Sequence, residues 1–279
     1  MLKFQIRPPP RLQPYIDRIW GWETGLGERL DILPVFPGPG GAELFFHYGA
    51  PLTELTIGAA KGSVLPHAHV LRLRSRPLVL AQQGGLGFIA FRIRSGMAEH
   101  VLGCSVASLP DGQTDLESLW GSSVNLAIEE MADCASHPER IHLLCRFVGS
   151  RIATARPGVS LEVAISRLER KQVSIAHIAE GLGISVRHLE NCFRAATGCS
   201  PARFRRLARL RRSIKTILLK PELTSLTDEL DPAYFDQSQQ IREFRQFTGF
   251  SPGELRKLVP GRAHFYNPSW TGAAMLPDP

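Results

Sequence analysis

The chain has 279 residues, of which 43% are hydrophobic, and its formal net charge is +7. This length is enough for two domains, and the apolar content can supply a core for each of them. No run approaches the roughly 20 apolar residues of a membrane-spanning helix, and the N-terminus lacks an apolar stretch of signal-peptide length, so we expect a cytoplasmic protein without membrane contact.

Residues 1–157 are predicted to form a mainly β domain with trailing helices. The segment LPVFPGPGGAELFFHYGAPL separates short apolar runs with Gly and Pro turns, so its strand candidates are residues 35–36 and 43–48. Residues 70–82 and 87–94 alternate apolar and polar side chains, as half-buried strands do. Helix-type spacing begins at Ser95, and the break Arg156-Pro157-Gly158 predicts a domain boundary between residues 157 and 158.

Residues 158–260 are predicted to be entirely helical, which makes the whole chain an α+β protein. Residues 161–170 form one amphipathic helix, and Ser174 and Ser185 are the predicted N-caps of the next two helices, with a turn at Gly183 between them. Gly198 ends the second of these helices, and Ser200-Pro201 begins a long helix that reaches about residue 219. Residues 261–279 show little apolar periodicity, and we expect a flexible tail there.

The chain also repeats part of itself with a shift of 51 residues. Residues 173–201 end in ENCFRAATGCSP, and residues 224–252 end in IREFRQFTGFSP. The shift superposes Phe193 on Phe244, Thr197 on Thr248 and Gly198 on Gly249. A repeat of this kind marks two copies of one supersecondary unit. Each copy has the residue pattern of a helix-turn-helix.

The positive charge is concentrated around the first copy. Residues 160–220 hold 13 Lys or Arg against 4 Asp or Glu, whereas residues 221–260 hold 4 against 7. A concentrated basic segment is typical of proteins that bind a phosphate backbone. The alternative is a solvated helix face, which explains the sign of the charge but not the repeat around it.

The predicted contacts to DNA lie on three helices. Arg can bind guanine and Asn can bind adenine through paired hydrogen bonds, and a helix N-terminus offers backbone N–H groups to a phosphate. In the first recognition helix the candidates are Ser185, Val186, Arg187, His188, Asn191 and Arg194. The connecting helix adds Arg205, Arg209 and Arg212, and the second recognition helix adds Gln237, Ser238, Gln239 and Arg242.

Residues 160–258 resemble the DNA-binding domain of the AraC/XylS family of bacterial transcription regulators. The resemblance rests on IAEGLGISVRHLENCFRAATGCSPARFRRLARL and YFDQSQQIREFRQFTGFSPGELR. It implies two helix-turn-helix units on a linker helix, each with a recognition helix in the major groove of double-stranded DNA. Residues 12–155 resemble, more weakly, the N-terminal sensing or dimerisation domain of some of these regulators. Two further partners stay open, RNA polymerase and a small-molecule effector. The chain is either a monomer or a homodimer.

The second unit departs from this pattern at two places. Pro232 lies inside its predicted first helix and disfavours α conformation at the residue before it. Gln240 occupies the inward position that Leu189 fills in the first unit, and a buried amide without partners costs roughly 1–3 kcal/mol. We therefore predict that the second unit contributes less to DNA reading than the first.

The motif His67-Ala68-His69 suggests a second class of function. With Gly62 five residues earlier, these residues resemble part of a cupin metal motif, so the alternative is a cupin-like metalloenzyme with an accessory DNA-binding domain. The acidic ligand that the motif needs is missing, because Leu71, Arg72, Leu73 and Arg74 follow. We predict no metal site, no cofactor and no catalytic site.

Overall fold

The computed structural model of the protein describes residues 1–39, 42–55, 62–72, 75–152, 159–170, 173–219 and 237–266. The predicted domain boundary at 157/158, the residues around Pro232 and the last 13 residues of the predicted tail lie outside these ranges. Among the described helices, none is long and apolar enough to cross a membrane.

Nine strands, all paired antiparallel, form the sheets of the described part of the N-terminal domain. They are β1 (Leu2–Ile6), β2 (Ile16–Glu23), β3 (Glu43–His47), β4 (Thr53–Leu55), β5 (Ser63–Val64), β6 (Ala68–Arg72), β7 (Val79–Ala81), β8 (Gly87–Ile93) and β9 (Gly112–Asp115). Six of them form a sheet of order β1-β2-β8-β3-β6-β9, and the other three form a sheet of order β5-β4-β7. The predicted strand over 70–82 is therefore two strands, β6 and β7, which belong to different sheets.

The six-stranded sheet is buried on both of its faces. Phe46 and Ile89 point to one face and pack with the trailing helices. Phe45 and Phe88 point to the other face and pack with residues of the small sheet and the loops around it. The prediction of half-buried strands is therefore wrong for β8, because two-sided burial replaces alternation with the nearly continuous apolar run GFIAF.

Four described helices follow β8, as the change of pattern at Ser95 predicts, and the short strand β9 lies between the first and the second of them. They are α1 (Ala98–Leu102), α2 (Glu117–Trp120), α3 (Ser123–Asp133) and α4 (His137–Arg151). The apolar stripe of α4, which includes Leu144 and Val148, packs against the sheet in the same core as Phe46.

The second half is helical in every described segment. Its helices are α5 (Val159–Arg170), α6 (Ile175–Gly181), α7 (Val186–Thr197), α8 (Pro201–Leu219), α9 (Gln237–Thr248) and α10 (Pro252–Leu258). Ser174 and Ser185 cap α6 and α7 through hydrogen bonds from the N–H groups of His177 and His188. Gly183 has a φ of +66°, which only glycine adopts without strain at this turn. These local predictions are confirmed.

The chain returns to the N-terminal domain after α10. Ala263 forms a β-bridge with Ile32, and the Phe265 ring packs on Trp20 and Trp22 at centroid distances of 5.3 and 4.8 Å. Phe265 is 3% exposed. The prediction of a flexible tail is therefore wrong for residues 261–266, which we call the C-terminal segment. Its apolar side chains are too few to form a helical stripe, so sequence periodicity does not detect their burial.

A buried arginine joins the sheet to the first helix-turn-helix. Arg72, at the end of β6, is 2% exposed. Its Nη2 donates a hydrogen bond of 2.6 Å to the carbonyl of Thr197, the last residue of α7, and its Nη1 donates to the carbonyl of Val106. The two domains therefore share hydrogen bonds as well as apolar packing.

Replacement of Phe265 by alanine tests the attachment of the C-terminal segment. We expect the Phe265→Ala variant to lose about 3–5 kcal/mol of unfolding free energy, because an aromatic ring leaves a closely packed core. Urea denaturation followed by tryptophan fluorescence measures this loss. Leu26→Ala is the control, since Leu26 is 98% exposed and its loss should change stability by no more than about 0.5 kcal/mol. Equal stabilities of the two variants would contradict the packing of Phe265.

Candidate nucleic-acid interface

Helix α7 presents a row of polar side chains to solvent. Arg187, Asn191 and Arg194 are exposed and follow one another at four- and three-residue intervals, so they lie on one side of the helix. None of the three forms a hydrogen bond or ion pair with a described residue. Ser185, Val186 and His188 are also exposed at the start of the helix, although His188 Nε2 lies 3.5 Å from the sulfur of Cys192.

The opposite side of α7 is fixed in the core of the first unit. Leu189 and Phe193 are buried against Ala179 of α6 and Phe204 of α8. The rings of Phe193 and Phe204 meet edge-on with a centroid distance of 4.9 Å. The small side chain of Ala179 allows α6 and α7 to approach closely, as the sequence pattern predicts. The polar row is therefore held in a defined orientation.

Helix α9 is the equivalent element of the second unit. Ser238, Gln239 and Arg242 are exposed on it, and the Nε of Arg242 donates a hydrogen bond of 3.3 Å to the carbonyl of Ser238. The backbone of Gln237 begins the helix, but its side chain lies outside the described part of the molecule. The 51-residue repeat extends to local geometry, because Thr197 and Thr248 both donate side-chain hydrogen bonds to the carbonyl four residues earlier.

Two polar residues on the inner side of α9 bind α8. Gln240 is 3% exposed, which confirms its predicted inward position, but its Nε2 lies 3.5 Å from the hydroxyl of Ser213 and so has a weak partner. Glu243 is 8% exposed and accepts hydrogen bonds from Arg206 at 2.9 Å and Arg209 at 3.5 Å. The sequence analysis does not identify Glu243 as a structural residue, although the 51-residue repeat aligns it with Cys192, which is half-buried.

The three arginines of the connecting helix α8 that are predicted to contact DNA are turned partly inward. Arg205, Arg209 and Arg212 are half-buried and make internal contacts, to the carbonyl of Val173, the carboxylate of Glu243 and the carbonyl of Glu169. The reason is that α8 is buried on several sides, because it packs against α5, α7 and α10. Arg203, in the first turn of α8, is the arginine of this helix that is classed as exposed.

The last turns of the two recognition helices, α7 and α9, differ in charge. Arg194 of α7 is exposed without a described partner, whereas Arg245, its equivalent in α9, binds both carboxylate oxygens of Glu254 at 3.1 and 2.9 Å. Hydrogen bonds from the Ser251 backbone and from Arg245 lower the pKa of Glu254 to about 2. Glu254 is therefore ionised at neutral pH, and Arg245 stays neutralised.

The histidines of the metal alternative have other contacts. His69 is 1% exposed, stacks on Phe45 at a centroid distance of 5.1 Å, and its Nδ1 lies 3.0 Å from the carbonyl of Pro66. His67 Nδ1 lies 3.2 Å from the carbonyl of His47. Across the described ranges, no group of three or more His, Cys, Asp or Glu side chains is arranged to hold a metal ion.

Comparison with known proteins gives one family match. The family model described as a helix-turn-helix domain matches residues 178–258, which span both predicted units. No curated protein sequence matches the chain. Among solved structures, ToxT from Vibrio cholerae O395 is 11% identical with a TM-score of 0.46, over 87% of this chain and 98% of that chain. Unsaturated fatty acid bound ToxT from Vibrio cholerae strain SCE256 is 10% identical with a TM-score of 0.44, over 88% and 96%.

The neutralisation of Arg206 and Arg209 by Glu243 can be tested by one substitution. In Glu243→Gln the two guanidinium groups lose their counterion, so we expect tighter binding to non-cognate DNA and a steeper salt dependence, by about 0.9 in the log–log slope for each arginine that reaches a phosphate. We also expect a loss of about 1.5–3 kcal/mol in unfolding free energy. Fluorescence anisotropy at several salt concentrations and urea denaturation measure the two effects.

The matched control for this test is Glu129→Gln, which makes the same change of charge at an exposed position on α3. It should leave the salt slope unchanged. If both variants behaved alike, the effect would come from net charge and not from the release of the two arginines.

Proposed function

We propose that this chain, a DNA-binding transcription regulator of the AraC type, reads its operator mainly through the first helix-turn-helix unit. The observation that carries this proposal is the row of Arg187, Asn191 and Arg194, which is exposed, fixed by the core behind it and without a hydrogen-bond or ion-pair partner among the described residues. Side chains in this state can bind bases without first breaking a bond within the protein.

The chemistry of the row fits the major groove. Arg187 and Arg194 can each donate two hydrogen bonds to guanine, and Asn191 can bind adenine in the same bidentate way. Val186 offers an apolar surface to a thymine methyl group, and His188 adds a polar contact beside it. The Ser185 hydroxyl accepts the N–H of His188, and the preceding N–H groups of α7, those of Val186 and Arg187, can bind a phosphate.

The second unit is proposed as the weaker reader. Ser238, Gln239 and Arg242 face outward, and Gln237 stands beside them in the sequence, so contact with DNA is available. However, residues 221–260 hold seven acidic residues against four basic ones. Negative charge near the phosphate backbone reduces the electrostatic attraction that supplies most non-specific affinity.

Phosphate contacts are proposed first for Arg203, which is exposed next to the end of α7. Arg205, Arg209 and Arg212 are proposed as secondary contacts, since each must exchange an internal partner for a phosphate.

We also propose that the N-terminal domain receives a small-molecule effector and that the protein acts in the cytoplasm. Contact with RNA polymerase and assembly as a monomer or homodimer stay predictions.

Two alanine variants on neighbouring helices distinguish base reading from phosphate binding. On an operator selected from random duplexes, Arg187→Ala should cost about 1–3 kcal/mol and relax the preference at particular base pairs. Arg203→Ala should weaken cognate and non-cognate duplexes by a similar factor and reduce the salt slope by about 1. Binding to a panel of single-base operator variants measures both. A uniform loss for Arg187→Ala would contradict its role in base reading.

The asymmetry between the units is tested by a second pair of variants. Asn191→Ala and Arg242→Ala remove equivalent positions of the two recognition helices, since the residues are 51 positions apart. At one fixed salt concentration we expect at least a tenfold loss of operator affinity for Asn191→Ala and a loss below threefold for Arg242→Ala. Scrambling the DNA half-site beneath the first unit should likewise reduce operator affinity more than scrambling the half-site beneath the second unit. Equal losses would show that the second unit reads DNA as fully as the first.

A further inference from the structure

Two histidines are buried side by side in the six-stranded sheet. His47, the last residue of β3, is 0% exposed, and His69 of β6 is 1% exposed. Their ring centroids lie 5.4 Å apart, and both rings stack on Phe45, at centroid distances of 6.3 and 5.1 Å. We call them the histidine pair. Because imidazole ordinarily gains its charge between pH 5 and 8, the pair links the packing of this core to the proton concentration.

The histidine pair is arranged to hold two neutral rings. Neither ring nitrogen of His47 has a hydrogen-bond partner among the described residues. The Nδ1 of His69 lies 3.0 Å from the carbonyl of Pro66 and therefore carries the one proton of a neutral ring. Burial, followed by the charges of His69 and His67, lowers the pKa of His47. Burial lowers the pKa of His69 to about 4, although the Pro66 carbonyl and Asp115 oppose this shift.

The acidic side chains of the surrounding strands cannot balance a charge on both rings. Asp115 of β9 is opposite His69 in the strand register, and it also accepts a backbone N–H at the start of α2 at 2.9 Å. Glu43, at the start of β3, binds the Nε of Arg92 at 2.6 Å. Glu54 of β4 lies 3.9 Å from an exposed arginine between β6 and β7.

The other titratable neighbours add positive charge. The backbone N–H of His47 donates a hydrogen bond of 2.7 Å to the carbonyl of His67, so a second histidine is its neighbour across the strands. On the far side of the aromatic cluster, Lys3 of β1 lies over the ring of Trp22 at 5.1 Å. Burial, followed by the Lys3 charge, lowers the pKa of His264 in the C-terminal segment. A proton on His47 would therefore meet like charges within an apolar core, which is unfavourable.

The C-terminal segment covers the same aromatic cluster. The ring of Phe265 is 5.8 Å from Phe45 and 6.0 Å from Phe88, and Phe88 is 5.6 Å from His47. The backbone of the segment is joined to the domain by a β-bridge at Ala263, whereas β3 is paired along its length with β6 and β8. Lifting the segment therefore breaks fewer hydrogen bonds than separating the strands, and local opening follows the weaker attachment.

We propose that the histidine pair makes the attachment of the C-terminal segment sensitive to acid, because a proton on His47 or His69 opens the aromatic core and releases Phe265. The proposal is independent of the proposed DNA reading. Both rings bind a proton more readily when they are exposed, since the ordinary pKa of histidine is about 6.5. The stabilisation is therefore fully present above this pH and is lost as the pH falls below it.

Urea denaturation of the full chain at pH 7.5 and 5.5, followed by tryptophan fluorescence, tests the role of the histidine pair. Between these pH values, each histidine that is neutral only in the folded protein raises the unfolding constant about tenfold. His47→Leu should remove about tenfold of this pH dependence, and His47→Leu with His69→Leu about a hundredfold. His47→Phe is a second apolar replacement, in case leucine prevents folding. His177→Leu, at an exposed position on α6, should keep the full dependence.

Hydrogen exchange of single amides tests the release of the segment. The amides of Ala263 and Leu33 bond across the β-bridge at 2.8 Å, and the amide of Leu189 bonds to Ser185 within the first unit. Between pH 7.5 and 5.5 we expect the protection factors of Ala263 and Leu33 to fall at least tenfold, and that of Leu189 less than threefold. In His47→Leu the fall at Ala263 should be about tenfold smaller.

Two results would overturn the proposal. If the apolar replacements of His47 kept the pH dependence of the unmodified chain, the histidine pair would not be its source. If the protection factors of Ala263 and Leu189 fell equally, acid would act by unfolding the whole chain and not by releasing the C-terminal segment.

Discussion

The buried guanidinium of Arg72 holds the first recognition helix against the N-terminal sheet. A buried charge is costly unless hydrogen bonds surround it, and the last carbonyls of a helix lack partners within the helix. Arg72 meets both needs by donating to the carbonyl of Thr197, where the helix dipole also favours a positive charge. Gly198 follows with a φ of +68°, and a Cβ there would clash with the guanidinium. The far end of α7 is thus fixed, and its polar row stays exposed to solvent.

The second unit is tied to the N-terminal domain by apolar packing. Leu33 and Phe36 lie in the long connection between β2 and β3, yet they share a core with Leu207 of α8 and Phe244 of α9. The C-terminal segment then places Phe265 in the aromatic cluster of the sheet. The two domains are therefore joined by two separate apolar contacts.

The two helix-turn-helix units show how one scaffold can carry different charges. Both keep the aromatic residue, the threonine and the glycine that end the recognition helix, because these set its packing and its C-cap. At the position of Cys192 the second unit has Glu243, which neutralises two arginines of α8. At the position of Leu189 it has Gln240, whose amide is buried near Ser213. The equivalents of Asn191 and Arg194 in the second unit, Arg242 and Arg245, form hydrogen bonds within the protein.

The amino-acid sequence by itself determined the local structure of the helical half. The caps at Ser174 and Ser185, the turn at Gly183 and the start of α8 at Pro201 were predictable because each depends on groups within about four residues. The repeat predicted two units, and the outward row of α7 followed from its apolar positions. Tertiary structure decided which arginines of α8 stay exposed, since that depends on three neighbouring helices. It also decided the burial of Phe265 beside Trp20 and Trp22, because this packing joins residues that are far apart in the chain and carry no local signal.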